Sequence, residues 1–119
     1  MILLVDDDPL VRELVRDFLE MAGHTVVEAP TAEAALQQAG SIDLWQIELA
    51  VTDLALPGLD GAELAKRLRQ FRPGLPVLLI SGNPLAAVDV TDERTAVLSK
   101  PFTRGALLDS VKRLLGSSV

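Results

Sequence analysis

Ile2-Leu3-Leu4-Val5-Asp6-Asp7-Asp8-Pro9 is the stretch on which the fold turns. Four consecutive apolar residues are what a strand shows when both of its faces are covered, as in a parallel sheet flanked by helices. Three carboxylates follow at once. Asp8 suits a helix N-cap and Pro9 the first helical position, so the strand passes directly into a helix. Leu10, Val11, Leu14, Val15, Phe18 and Leu19 then recur at helical spacing, and Gly23 is a C-cap candidate.

The same grammar repeats outward from there. Thr25 to Glu28 reads as a second strand, and Thr31 caps a short helix that runs to about Ala39 and ends at Gly40. Ile47 to Thr52 is a third strand that delivers Asp53 at its end. The segment before it is harder to place, with Trp45 a candidate cover for an edge of the sheet. Pro57 and Gly58 mark a loop, and Gly61 to about Phe71 is a helix with Leu64 and Leu68 facing inward. Val77 to Ile80 and Thr95 to Leu98 are strands four and five. Between them, Asn83 to Glu93 makes a poor helix, because Pro84, Val88, Val90 and Thr91 disfavour one. Thr103 caps a last helix carrying Leu107, Leu108, Val111, Leu114 and Leu115. Strands alternating with helices predict an α/β domain over 1–119, a doubly wound five-stranded parallel sheet whose fourth helix is short or irregular.

Composition bounds the function. With 119 residues, 49% of them hydrophobic, the chain is long enough for one domain with a real core. No cysteine is present, so disulfides and thiolate metal sites are excluded, and that usage is compatible with a reducing cytoplasm. Met1 leads straight into the first strand, so no secretory signal is expected. No apolar run approaches the ~18 residues of a membrane span. Eleven basic against 17 acidic residues give a net charge of −6, which argues against non-specific nucleic-acid binding. Lys66, Arg67, Arg69 and Arg72 cluster locally, as a solvated helix face does.

Chemistry gathers at the carboxyl ends of the strands, where open α/β sheets bind ligands. Asp6 and Asp7 follow the first strand, Asp53 the third, Ser81 the fourth and Lys100 the fifth. A strand order of 2-1-3-4-5 would bring all five together. Crowded carboxylates repel one another, and a hard divalent cation such as Mg²⁺ relieves them. A carboxylate can also act as a nucleophile and form an aspartyl phosphate, with a lysine and a metal neutralising the charge on the transferred group.

Leu4-Val5-Asp6-Asp7-Asp8-Pro9, Val51-Thr52-Asp53, Leu56-Pro57-Gly58-Leu59-Asp60-Gly61, Ile80-Ser81-Gly82 and Ser99-Lys100-Pro101-Phe102 resemble, in order, the receiver domains of response regulators. The resemblance covers nearly the whole chain. It implies a flavodoxin-like fold and a phosphoryl group taken onto Asp53. It implies Mg²⁺ held by Asp7, Asp53 and the Ala55 backbone carbonyl, with Asp6 ligating directly or through water. Lys100 would pair with the acceptor and then with the phosphoryl group, and its bond to Pro101 is cis in many family members. Ser81 would supply a hydroxyl to the phosphoryl group. A histidine kinase or histidine phosphotransfer protein would be the partner. Nucleic-acid and membrane contacts are not expected of the domain, and a homodimer is compatible with it. The domain would be a signalling switch with self-catalysed phosphotransfer, not a metabolic enzyme. A stand-alone cytoplasmic regulator and the receiver of a hybrid histidine kinase both fit.

Two features depart from the family. Val97 stands three residues before the lysine, where the family usually has Tyr or Phe as a switch, and the segment after Ser81 is irregular. Both favour an alternative, a pseudo-receiver that binds a partner without phosphorylation. A haloacid-dehalogenase-type phosphatase also uses an aspartyl nucleophile, but it needs an acid where Ala55 stands. His24 reads as solvated or packed, Asp8 as a cap and not a ligand, and Phe102 as core.

Overall fold

In a computed structural model, residues 1–41, 44–83 and 94–116 are described. The elements run β1 (Ile2–Val5), α1 (Pro9–Met21), β2 (Val26–Ala29), α2 (Ala32–Ser41), a single 3-10 turn (Leu44–Gln46), β3 (Leu49–Asp53), α3 (Gly61–Phe71), β4 (Val77–Ser81), β5 (Thr95–Ser99) and α4 (Arg104–Leu114). The expected irregular helix between Asn83 and Glu93 lies outside the described residues, apart from Asn83 itself. The five strands are all parallel, in the order β2-β1-β3-β4-β5.

Successive strand residues point to opposite faces, so each apolar run serves two cores. Leu3, Val5, Ala50, Val77 and Leu79 pack on one face against Ala32, Ala35 and Ala39 of α2 and Leu64, Ala65 and Leu68 of α3. Ile2, Leu4, Leu49, Val51, Leu78 and Ile80 pack on the other, against Val15 and Leu19 of α1 and Leu107 and Val111 of α4. Every residue of β1, β3 and β4 is buried, which is why those runs carry no polar alternation until their last residues. The sheet is thus doubly wound. From β1 the chain steps out to β2 and then returns to β3 on the other side of β1, so its progress across the sheet reverses between β1 and β3.

Some local expectations shift. α2 runs through Gly40 to Ser41, and β3 starts at Leu49. Leu10 and Leu14 are 76% and 47% exposed: they share the solvent-side stripe of α1 with Asp17 and Met21, while Val15 and Leu19 take the core stripe. Trp45, the candidate cover for a sheet edge, lies mostly open to water. It is 67% exposed, with the Arg72 guanidinium 5.2 Å from its ring centroid. The basic cluster also divides. Lys66 and Arg67 are solvated, whereas Arg69 donates to the carbonyls of Leu75 and Arg94, both at 3.0 Å, and to Thr95 Oγ1 at 2.8 Å. Arg69 therefore ties α3 to the amino ends of β4 and β5. Gly23, at φ 95°, turns the chain out of α1 as expected of a residue without a Cβ. No helix among the described residues is long and apolar enough to cross a membrane.

Candidate functional site

The parallel register sets the carboxyl ends of the strands side by side. Val5 pairs with Thr52 and Asp53 with Ile80, so the chain leaves β1 beside the end of β3, and Ser81 follows one position beyond. Ser81 pairs in turn with Ser99, and the Lys100 N–H donates to the Ser81 carbonyl at 2.8 Å. Residues separated by up to 94 positions thereby meet at one edge.

Asp6, Asp7 and Asp53 each present a carboxylate oxygen within 4.8 Å of the others. Asp6 and Asp53 are buried and Asp7 is exposed. Lys100 Nζ reaches Asp53 Oδ2 at 3.1 Å, and the Ala55 N–H donates to Asp53 Oδ1 at 3.2 Å. Both oxygens of Asp53 are therefore engaged by donors. Asp6 is held by its own turn: the Asp8 N–H donates to Asp6 Oδ1 at 2.9 Å. Burial lifts the Asp6 carboxyl above the usual range; the Asp8 N–H opposes this, Asp53 adds to it, Lys100 opposes it and Asp7 adds to it. Such a site is short of positive charge. Three carboxylates at this spacing, one open to water, offer the oxygen donors that a hard divalent cation takes, and the exposed side leaves room for retained water.

Ser81 is buried at the end of β4, where its hydroxyl donates to the Asn83 carbonyl at 2.8 Å and accepts from the Asn83 N–H at 3.0 Å. The Lys100–Pro101 bond is cis. Val97 lies on β5 opposite Leu79 and packs, half-buried, on the α2–α3 core. Asp8 accepts from the N–H groups of Leu10 and Val11 as a cap and stands outside the carboxylate trio. His24 is half-buried, its Nδ1 3.9 Å from Glu48.

Two supporting residues escaped the sequence. Arg12 Nη1 donates to the Asp6 carbonyl at 2.8 Å. At Gly61, the N–H donates to the Leu54 carbonyl at 2.8 Å, and a Cβ would collide with the Asp53 carbonyl oxygen and stand 2.9 Å from Leu54 Cα. An arginine in an amphipathic helix and a glycine at a helix start are both common, so neither carried a signal without tertiary contacts.

Comparison with known proteins agrees with this geometry. The family model for the response regulator receiver domain matches residues 2–112. The C4-dicarboxylate transport transcriptional regulatory protein DctD of Pseudomonas aeruginosa is 39% identical over 121 residues, covering 96% of this chain and 25% of the relative. The response regulator receiver protein CpdR of Brucella abortus is 32% identical, covering 96% of this chain and 95% of its own. A crystal structure of the receiver domain from the hybrid histidine kinase CckA superposes with a TM-score of 0.82 at 32% identity, covering 96% and 97% of the two chains. The chain spans about a quarter of the length of the first curated relatives it matches. Motif order, sheet order, the acid cluster and these matches agree, and the chain belongs to the response regulator receiver domain family.

Proposed function

We propose that this receiver takes a phosphoryl group from a phosphohistidine onto Asp53, in the cytoplasm, from a histidine kinase or histidine phosphotransfer protein. The observation that carries this is Asp53 itself: a buried carboxylate at a strand end, paired with Lys100 at 3.1 Å and ringed by Asp6 and Asp7. A carboxylate so buried is short of water, and its lone pair can be directed at phosphorus. An Asp53 oxygen forms the new O–P bond as the N–P bond of the donor breaks, and the electron pair returns to the imidazole nitrogen. Lys100 keeps its ammonium beside the oxygens that gain charge, as positioned cations do in phosphoryl transfer. Ser81, once released from Asn83, offers its hydroxyl to a phosphoryl oxygen. Mg²⁺, which the Asp6, Asp7 and Asp53 carboxylates and the Ala55 carbonyl would hold, supplies further positive charge against the phosphoryl oxygens when bound.

The domain is on this reading a switch that catalyses its own phosphorylation and dephosphorylation. The same chemistry serves a stand-alone regulator and a receiver within a larger kinase or transcriptional regulator. Incubation with Mg²⁺ and a small phosphodonor, followed by intact-mass measurement, tests it. The expected result is a single phosphoryl adduct that Asp53→Ala lacks. No adduct, or one retained in Asp53→Ala, sinks the proposal. Val97 removes the family's aromatic readout and supports a second reading of the output step, in which the phosphoryl group is passed on or reported without an aromatic switch.

A further inference from the structure

Arg12 lies on the first turns of α1, beside the turn that carries Asp6 and Asp7. Its guanidinium spans two elements. Nη1 donates to the Asp6 backbone carbonyl at 2.8 Å, and Nε lies 3.4 Å from Glu28 Oε1 on β2. The other Glu28 oxygen accepts from Arg16 Nη1 at 3.2 Å, so the carboxylate that orients Arg12 is itself held. Both partners are shielded, with side-chain exposures of 21% and 30%.

The Asp6 peptide is the place where such a tie matters. β1 ends at Val5, and over the next residues the chain must turn Asp6 inward and leave Asp7 open to water. Three ties act on Asp6. Its N–H donates to the Ala29 carbonyl at 3.3 Å, its side chain accepts from the Asp8 N–H at 2.9 Å, and its carbonyl accepts from Arg12. The first comes from the neighbouring strand and the second from the turn itself. Arg12 supplies the third from the helix, and of these three ties it is the one that brings a positive charge to a turn carrying two carboxylates of the trio. A planar fork bridges two acceptors at fixed separation, which a lysine ammonium does not reproduce.

We propose that Arg12 is a positioning residue for the divalent cation site, acting through the Asp6 peptide, with Glu28 setting its orientation. The inference rests on the receiver reading of the acid trio. Partners that hold ligating carboxylates in place commonly account for about 10-fold or more in metal affinity.

The test is a Mg²⁺ titration of the full chain, followed by the amide NMR signals of Asp53 and Ala55. Wild type should saturate, Arg12→Met should raise the Kd about 10-fold, and Arg12→Lys should fall between the two. Phosphoryl uptake at saturating Mg²⁺ should stay near the wild-type rate, while its half-saturating Mg²⁺ concentration moves with the Kd. A merely structural role would lower the melting temperature in EDTA and leave the Kd of the folded protein unchanged. A wild-type Kd in folded Arg12→Met overturns the inference and leaves the receiver reading intact. If wild type shows no Mg²⁺ response, the receiver reading fails and the inference with it. Should Arg12→Met not fold, Glu28→Gln carries the same test: a raised Kd supports the role and an unchanged one overturns it.

Discussion

Asp6 shows how a buried member of the carboxylate trio acts on stability. Burial raises its pKa above the ordinary value of 3.8, so the folded chain binds the Asp6 proton more tightly than the unfolded chain does. This site therefore favours folding most below 3.8, and the advantage is lost as pH rises through the raised value. Metal-free Asp6→Asn should unfold at a higher temperature than wild type at neutral pH. The gain should shrink as pH falls and vanish below 3.8, which calorimetry in EDTA across pH can follow; a gain independent of pH would contradict this. Gly61 is constrained differently. A Cβ there meets the Asp53 carbonyl and Leu54 Cα, both backbone, so nothing can swing aside. Gly61→Ala should cost about 1–3 kcal/mol in denaturant unfolding, the usual range for overpacking, and should disturb the Asp53 amide signal as well.

At the scale of elements, each helix is anchored where its sequence places a cap or a clamp. Asp8 caps α1, accepting from Leu10 N–H at 2.9 Å and Val11 N–H at 3.5 Å, and Thr103 caps α4 through the Ala106 N–H at 3.0 Å. Because Asp8 stands outside the carboxylate trio, its two candidate roles separate by experiment. Asp8→Ala should lower stability by about 1 kcal/mol, as N-cap losses do, while Mg²⁺ affinity stays near wild type. A large loss of affinity would make Asp8 a ligand after all. The caps were legible in the sequence because the capping oxygen serves N–H groups two or three residues away. The clamp by Arg69 was not, because its acceptors at Arg94 and Thr95 lie 25 and 26 positions away.

Over the whole molecule, the sheet converts five short apolar runs into one site. On the proposed function, metal binding and stability are linked, since the trio exists only when β1 and β3 are paired. Mg²⁺ at about 100 times its Kd should raise the unfolding free energy by about 2.7 kcal/mol, an increment that EDTA removes and Asp53→Asn largely abolishes. An equal increment in Asp53→Asn would place the ion elsewhere. Given the strand order that the resemblance to receiver domains implies, the two-faced core and the identity of Asp6, Asp7, Asp53, Ser81 and Lys100 as residues of the carboxyl edge could both be read from the sequence. Each follows from local periodicity, or from a motif whose residues stand next to the strand that presents them. The lean of Arg12 onto the Asp6 carbonyl, the closeness of Gly61 to Asp53 and the exposure of Leu10 and Leu14 were decided by the tertiary structure. They depend on which neighbour fills the space around a residue, and only parallel pairing of distant strands and the packing of helices across them determine that.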